Sequence, residues 1–443
     1  MRSRFLVPLI YFIYCLPAVP LSAMGILYFV HLPKFHSSSL GVALATISGS
    51  LLLSRSWDAI TDPAIGYLSD RIRKPFLRRP VWVLGGALSC SLVFAWVSSA
   101  SAMKLFGVES GEYFVLSALF FLFYTIILIP YESWALEIFT EVEKRTRIIM
   151  LREGATLCGT LVAGALPVAL SRYFQEKEEI VAFSGLLISV FLLLSAALVV
   201  FIVPYPRALE ETNLPRGPIR AVKDAFSLKV FRILLFAFCL TTIAAQIPAA
   251  LILFFVEDVL GVSDSTPFVL QYFIGAGIGF PFWLYAARRV NKADLWIIGV
   301  LLNTIFFFFV IYLPAGATIW YSICVVGSGL GLGGILAIPT AIQADIIEFD
   351  CEQSKERREG SFVGLWAIVR KLSAAIGVAG VLYLLAKAGY EPEETASVTP
   401  AMQTLIRYLY CLLPCLLNFG ALFFIFRLKE ELKLVKGYSS DDS

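Results

Sequence analysis

Charged side chains are scarce in this sequence. Asp, Glu, Lys and Arg make up 16% of its 443 residues, whereas 58% of the residues are hydrophobic and the mean hydropathy is +0.80. A soluble domain covers its surface with more charge than this. Apolar runs of about 20 residues, without the period-two alternation of barrel strands, indicate membrane-spanning helices. Composition therefore predicts an all-α polytopic membrane protein.

Residues that carry enzyme chemistry are also few. The only two histidines, His31 and His36, follow the first apolar run. The eight cysteines show no metal-ligand spacing and most stand inside apolar runs, which favours small core residues over a disulfide framework. The basic residues lie in short loops between apolar runs and form no patch that would bind nucleic acid. We expect neither an enzyme nor a nucleic-acid-binding protein.

The apolar runs predict twelve transmembrane helices. The first run continues to about Val30, which is too long for the apolar core of a signal peptide. A polar, proline-containing stretch at 204–230 separates the sixth helix from the seventh. We therefore expect an N-terminal six-helix bundle carrying the cation site (1–203), a cytoplasmic linker (204–230), and a C-terminal six-helix bundle with a short tail (231–443). The predicted helices are 5–30, 40–68, 80–101, 112–139, 150–171, 181–203, 231–256, 267–287, 294–313, 318–347, 361–386 and 402–427.

Lys and Arg are distributed unevenly between the two sides of this predicted bundle. Of the 36, the termini, the linker and alternate loops carry 26, and the loops on the other side carry 5. The positive-inside rule then places both termini and the linker in the cytoplasm. We expect a multi-pass protein of the plasma membrane, consistent with a bacterial inner membrane.

The loop after the second predicted helix reads GYLSDRIRK from Gly66 to Lys74. It resembles the signature of the major facilitator superfamily, with Arg73 in place of the second glycine. Gly66 lets a neighbouring helix approach, and Asp70 can pair with basic residues, so the resemblance implies a conformational lock formed by Gly66, Asp70, Arg71 and Lys74. An ordinary basic loop is the other interpretation. Two six-helix halves joined by a cytoplasmic linker agree with the major facilitator fold.

The second predicted helix carries two acidic residues. Asp58 and Asp62 are four residues apart and share one helix face, with Thr61 beside them. Carboxylates inside a membrane segment are costly and indicate a functional site. Two carboxylates and a hydroxyl suit a small hard cation, and the same pair can instead hold a proton. The other interpretation is that Asp62 ends the helix near Pro63 while Asp58 pairs with Arg55.

The stretch from Trp57 to Pro63, WDAITDP, is similar to a motif of the glycoside–pentoside–hexuronide cation symporters, the melibiose permease-like family. A second similar stretch runs from Ala344 to Lys371. Thr61 stands where melibiose permease-like members have Asn, which leaves the choice between sodium and proton open. The resemblance implies a cation site formed by Asp58, Thr61, Asp62 and Thr125, with Asp58 and Asp62 as metal ligands if the ion is sodium.

Lys371 falls on the lysine that connects the cation and substrate sites in this family. A charged lysine inside a helix needs a carboxylate partner, and Asp58 and Asp62 are the expected ones; a lysine that extends to the cytoplasm is the alternative. Arg152 corresponds to an arginine near the family's sugar site. The candidate substrate and coupling residues are Tyr124, Glu132, Arg152, Trp366 and Lys371.

The sequence departs from a galactoside site. Leu128 stands where melibiose permease-like members have a sugar-binding aspartate on the fourth helix, and the first helix, from Phe5 to Val30, lacks the acidic residue that those members carry there. Glu132 lies two helical turns from Thr125 on the same face and can bind substrate, carry a proton or form a structural ion pair. The vertebrate lysolipid transporters of this wider group also lack the sugar pattern, so an anionic amphiphile is the alternative substrate.

These patterns predict cation-coupled symport of a sugar or glycoside-like solute by alternating access. The two-halves architecture disfavours a channel, and an intact cation site would be unexplained in a sensor that does not transport. We expect no cofactor apart from the coupling ion, Na⁺ or H⁺. The expected partners are a small-molecule substrate and membrane lipid, and the protein is expected to function as a monomer.

Overall fold

The computed structural model of the chain is built from helices. It describes residues 2–28, 32, 35–36, 42, 44–105, 110–139, 141–205, 218–262, 266–354, 358–388, 390 and 399–434. These residues contain no strand, and the all-α prediction is confirmed. The helices are α1 (Arg2–Cys15), α2 (Ala18–Ile26), α3 (Leu44–Asp70), α4 (Pro75–Arg78), α5 (Pro80–Val97), α6 (Ala100–Leu105), α7 (Ser110–Ile138), α8 (Val142–Leu170), α9 (Lys177–Ile202), α10 (Pro218–Ser227), α11 (Lys229–Phe254), α12 (Thr266–Ala286), α13 (Lys292–Val310), α14 (Thr318–Ser354), α15 (Glu359–Lys387), α16 (Pro400–Arg407) and α17 (Leu413–Leu434), with π-helical turns at Phe255–Val259 and Tyr408–Leu412.

Eleven helical segments in the described part of the chain are long and apolar enough to span a membrane. The one remaining predicted span, 40–68, corresponds to α3, a helix of 27 residues. At 1.5 Å per residue it is about 40 Å long, which exceeds the hydrocarbon thickness of a bilayer. Helix α3 carries the charged residues Arg55, Asp58, Asp62 and Asp70. The predicted cation site therefore lies on a span that carries four charged residues.

Several helix ends differ from the predicted ones. The first predicted helix, 5–30, is divided into α1 and α2 at Leu16 and Pro17, because proline has no N–H to continue the helical hydrogen bonds. Helix α8 begins at Val142 rather than 150, and α14 ends at Ser354 rather than 347. Hydropathy falls where charged residues begin, but backbone hydrogen bonding continues past that point. Phe29 and Val30 lie outside the described residues.

The chain forms two compact units. Unit 1 comprises Met1–Ala225 and Asp350–Ile368, and unit 2 comprises Phe226–Phe349 and Val369–Ser443. The first division falls within the predicted linker, 204–230, which contains α10; residues 206–217 of that linker lie outside the described part. Helices α14 and α15 contribute residues to both units.

In unit 1, α2 packs on α8, α3 and α5 pack on α7, and α5 also packs on α9. Close approach of α2 and α8 depends on Gly159, since a Cβ there would lie 2.2 Å from the Val19 carbonyl oxygen. Small residues at such crossings are typical of membrane helices, where packing rather than the hydrophobic effect holds helices together. This packing fixes α3 and α7, which carry the acidic pair and Thr125.

In unit 2, α17 packs against α11 and α13. Helix α14 carries closely spaced glycines and approaches α12, where the Trp283 indole N–H donates to the Leu330 carbonyl at 2.7 Å. Unit 2 also contains a buried cluster of apolar side chains. It includes Leu251, Phe255, Tyr321, Leu385 and Tyr410.

Candidate functional site

The acidic pair lies on the buried face of α3. Asp58 is 1% exposed and Asp62 is fully buried, and their spacing of four residues places them one turn apart on the same face. Thr61 is also buried, and its hydroxyl donates to the Trp57 carbonyl at 3.2 Å. Helix α3 continues beyond Pro63 to Asp70, so Asp62 does not mark a helix end. The side chain of Arg55 lies outside the described residues.

Thr125 connects α7 to this pair. Its buried hydroxyl donates a hydrogen bond of 2.8 Å to Oδ1 of Asp62. The four residues that the sequence predicted as a cation site thus lie buried on two packed helices, with two carboxylates and two hydroxyls as oxygen donors. Rotation of the Thr125 hydroxyl would turn an oxygen lone pair toward a cation beside Asp62. This donor set fits a hard monovalent ion or a proton.

Burial makes these carboxylates favour a bound cation. Moving ionised carboxylates out of water is costly, and that cost is offset only by a nearby positive charge or by hydrogen bonds. A cation bound between Asp58 and Asp62 would supply such a charge. The arrangement is therefore suited to binding a cation.

A second polar cluster lies on α7 and α8. The Arg152 guanidinium donates to Glu153 at 2.7 Å and lies 3.6 Å from the Glu132 carboxylate. All three side chains are largely buried, so the cluster has two negative charges and one positive charge. The structure brings together Glu132 and Arg152, which the sequence named as substrate candidates, and adds Glu153.

Two tyrosines fix α1 against α7 next to this cluster. The Tyr14 hydroxyl donates to the Tyr131 carbonyl, the Tyr131 hydroxyl donates to the Tyr14 carbonyl, and the two rings stack at 4.8 Å. Tyr124, a predicted substrate residue, donates to the Leu21 carbonyl of α2 at 3.2 Å. No sequence pattern indicates the tyrosine pair, because the partner of each hydroxyl is a backbone carbonyl more than a hundred residues away.

A buried network of charged residues lies at the Asp70 end of α3. The Arg79 guanidinium donates to Asp70 at 2.6 Å, to Glu137 at 2.7 Å and to Ser69 at 2.5 Å. Arg78 lies 3.3 Å from Glu137 and 3.4 Å from Glu359. Oxygens of Asp70, Glu137 and Glu359 lie within 4.8 Å of one another, but the two arginines occupy the space between them, so the cluster is an ion-pair network.

Asp70 also closes the first turn of α15. Its carboxylate accepts backbone N–H bonds from Gly360 at 2.9 Å and Ser361 at 3.0 Å, where the helix dipole favours a negative charge. The two helices meet without side chains between them, since a Cβ on Gly66 would lie 2.2 Å from the Gly360 carbonyl oxygen. A Cβ on Gly364 would likewise lie 2.8 Å from the Asp62 carbonyl oxygen. The same α15 segment therefore packs along α3 from Asp70 to the acidic pair.

The partners of Asp70 are not those that the sequence named. Arg71 and Lys74 are exposed, whereas Arg78 and Arg79 are buried and make the contacts. The sequence does contain a signal for them, because two arginines stand directly before Pro80 at the start of an apolar run. Glu137, at the end of another apolar run, is the matching signal of opposite charge.

The remaining candidates lie on α15. Trp366 is buried in unit 1, and Lys371 is partly buried in unit 2, twelve residues or about 18 Å beyond the helix start. The pairing of Lys371 with the acidic residues of α3 stays a prediction. Asp345 accepts from Lys292 at 2.5 Å, and Asp350 pairs with Arg358 through two hydrogen bonds of 2.8 Å.

The chain is similar to known proteins over most of its length. The family model described as MFS/sugar transport protein matches residues 13–430. An uncharacterized symporter of Synechocystis is 22% identical, with 91% of this chain and 90% of that protein covered. A glucuronide carrier protein homolog of Escherichia coli is 25% identical (89% and 85%), and a sodium-dependent lysophosphatidylcholine symporter of Danio rerio is 21% identical (77% and 70%).

Solved structures show the same fold. A bacterial homologue of the iron transporter ferroportin matches with a TM-score of 0.70 at 15% identity, covering 95% of this chain and 99% of that chain. The fucose:proton symporter of Escherichia coli matches with a TM-score of 0.68 at 10% identity, covering 94% and 98%. At these identities the likeness concerns the fold alone, and it confirms the predicted major facilitator fold.

Proposed function

Because the chain belongs to the family of MFS/sugar transport proteins, we propose that it is a cation-coupled symporter of a sugar or glycoside-like solute. The observation that carries this proposal is the buried pair Asp58 and Asp62, with Thr125 hydrogen-bonded to Asp62 at 2.8 Å. Several relatives are named symporters, among them a putative glycoside/cation symporter of Escherichia coli, and another relative is named a glucuronide carrier protein homolog.

Coupling would follow from the electrostatics of α3. A sodium ion or proton at Asp58 and Asp62 would offset part of the buried negative charge and so strengthen the packing of α3 with its neighbours. If that arrangement also binds the solute more tightly, the two ligands raise each other's affinity by the same factor. Transport then follows when the loaded protein changes conformation and releases both ligands.

The Asp70 network would act as the conformational lock. Asp70 holds the first turn of α15 through Gly360 and Ser361, and α15 also carries Trp366 and Lys371. A movement of α15 must break these hydrogen bonds and expose a network of five buried charges, which is costly. This cost supports a role for the network in holding one conformation.

The Glu132–Arg152–Glu153 cluster favours a carbohydrate. Its two carboxylates can accept hydrogen bonds from sugar hydroxyls, and they compensate for the absence of acidic residues at Leu128 and in α1 and α2. The positive charge of Arg152 is already matched by these glutamates, so the cluster gives little extra attraction to an anion. A neutral glycoside is therefore the substrate that this cluster suits best.

The alternative is a lysolipid or other anionic amphiphile. Leu128 in place of an aspartate supports it, as does the likeness to lysophosphatidylcholine symporters of Danio rerio and Gallus gallus.

We further propose that both termini are cytoplasmic, that the protein is a transporter without enzyme activity, and that it functions as a monomer with no nucleic-acid partner.

Uptake into proteoliposomes tests the proposed substrate class. Purified protein would be assayed with radiolabelled sugars, aryl glycosides, uronates and lysophosphatidylcholine, each under an inward sodium gradient, an inward proton gradient or no gradient. Accumulation of a glycoside above the external concentration, driven by either gradient, supports the proposal. Accumulation of lysophosphatidylcholine alone would replace it with the alternative, and uptake that never exceeds the external concentration would contradict cation coupling.

A further inference from the structure

Unit 2 contains a partly open cavity that takes no part in the proposed cation site. Its volume is about 150 Å³, and its walls come from α11, α12, α13, α14 and the π-helical turn at Tyr408–Leu412. All of the lining residues belong to unit 2, whereas Asp58, Asp62 and Thr125 belong to unit 1. An apolar cavity of roughly this size in another protein holds a molecule of benzene.

Aromatic rings form much of the wall of this cavity. Tyr272, Phe273, Phe307, Tyr321 and Tyr410 all line it. The Tyr321 and Tyr410 hydroxyls are hydrogen-bonded to each other at 2.7 Å, which fixes the orientation of both rings. Aromatic rings prefer offset or edge contacts with a further ring, so these walls favour a flat aromatic guest over an aliphatic one.

Two π-helical turns meet beside the cavity. Phe255, on the turn Phe255–Val259, stacks on Tyr410, on the turn Tyr408–Leu412, with ring centroids 4.3 Å apart and an interplanar angle of 12°. A π-helical turn inserts an extra residue into a helix and is frequently found at functional sites. Here the insertion sets the position of Tyr410, which a regular α-helix would turn to a different face.

The cavity also has a polar wall. The Asn303 amide donates to the Ser328 hydroxyl at 2.9 Å, and Tyr272 lines the cavity together with these two residues. Asn303 and Ser328 are buried. A simple packing defect is lined by apolar atoms and stays dry, whereas this cavity presents an amide and two hydroxyl groups to whatever fills it. Such groups bind a guest that carries a hydrogen-bonding group of its own.

We propose that this cavity binds one aromatic ring bearing a hydroxyl group, that is, a phenol-sized ligand. The ring contacts Phe307, Tyr321 and Tyr410, and its hydroxyl forms hydrogen bonds with the Asn303, Ser328 and Tyr272 group. The proposal does not rest on the transported solute, because the cavity lies wholly within unit 2.

Fluorine NMR with full-length protein in lipid nanodiscs tests this proposal. The probes are 4-fluorophenol and 4-fluorotoluene, which have similar size and differ in the hydroxyl group. The expected result is saturable binding of 4-fluorophenol at one site, about fivefold tighter than 4-fluorotoluene, as expected for one additional hydrogen bond. Asn303→Leu should remove this preference while 4-fluorotoluene still binds.

Ala245 is a partly buried lining residue, and Ala245→Phe should fill the cavity. We expect both probes to bind at least about tenfold more weakly, because their rings can no longer be buried there. Ala249→Phe serves where that variant does not yield folded protein. Asp62→Asn should leave binding unchanged, so failure of the proposed transport function is separate from failure of this site. Non-saturable partitioning that is equal in the wild-type and filled proteins, or 4-fluorotoluene binding at least as tight as 4-fluorophenol, would overturn the proposal.

Discussion

The Thr125 hydroxyl of α7 donates a hydrogen bond of 2.8 Å to the buried carboxylate of Asp62 on α3. This bond joins two separate helices at the point where the acidic pair lies. It also places the Thr125 oxygen 2.8 Å from the carboxylate that is proposed to hold the ion.

Thr125→Val removes this oxygen and keeps nearly the same shape. We expect the apparent affinity for the coupling cation to fall about tenfold, because one oxygen ligand of the site is lost and the Asp62 carboxylate loses a donor. The measurement is the cation concentration that gives half-maximal solute uptake. Thr125→Ser, which retains the hydroxyl, is the matched control and should stay close to wild type. Equal cation dependence in all three proteins would exclude Thr125 from the site.

Glu132→Gln tests the substrate cluster. Arg152 keeps its 2.7 Å bond to Glu153, so we expect the protein to remain folded with little change in its melting temperature. The KM for solute should rise by about tenfold, because a neutral amide replaces a charged acceptor whose hydrogen bonds contribute more. Uptake kinetics give the KM, and thermal unfolding of the same preparation gives the melting temperature. A KM equal to wild type would mean that Glu132 is a structural partner of Arg152 only.

Arg79→Gln tests the buried network. The change leaves Asp70 and Glu137 without their closest positive charge, and breaking a buried ion pair typically costs about 3–5 kcal/mol. We expect a marked fall in the melting temperature of the purified protein. The exposed Lys74→Gln is the matched control and should change stability by less than about 0.5 kcal/mol. Similar melting temperatures for the two variants would show that the network does not stabilise this conformation.

Gly66→Ala tests the close approach of α3 and α15. Its Cβ would lie 2.2 Å from the Gly360 carbonyl oxygen, so the helices must separate, and such overpacking typically costs about 1–3 kcal/mol. We expect a lower melting temperature and lower transport activity than in the wild-type protein. Gly85→Ala is the control, since a Cβ there meets nothing within 4 Å. If Gly66→Ala were as stable and active as Gly85→Ala, the approach of the two helices at this point would not matter for function.

The sequence predicts the fold well because hydropathy and the positions of charges are local properties. Asp58 and Asp62 could be placed together because a spacing of four residues defines one helix face, and Thr125 could be added only through a family resemblance. The break at Pro17 follows from the chemistry of proline, but its exact position depends on packing.

Other parts of the site depend on contacts that no local pattern encodes. Asp70 meets the first turn of α15 across 290 residues of sequence, and Arg79 competes successfully with the nearer Arg71 for its carboxylate because only Arg79 is buried. The cavity of unit 2 combines side chains from five helical segments. The sequence of each segment has the composition of an ordinary apolar span and gives no sign of the cavity. Such features follow from tertiary packing and appear only in the structure.

The most direct test of the proposed mechanism is gradient-driven solute accumulation by Asp62→Asn in proteoliposomes. The fully buried Asp62 would lose its charge but keep its shape, and Thr125 could still donate to the amide oxygen. We predict a folded protein with a melting temperature close to wild type that no longer accumulates solute under either a sodium or a proton gradient. Accumulation at the wild-type level under the same gradient would contradict the assignment of the acidic pair as the cation site.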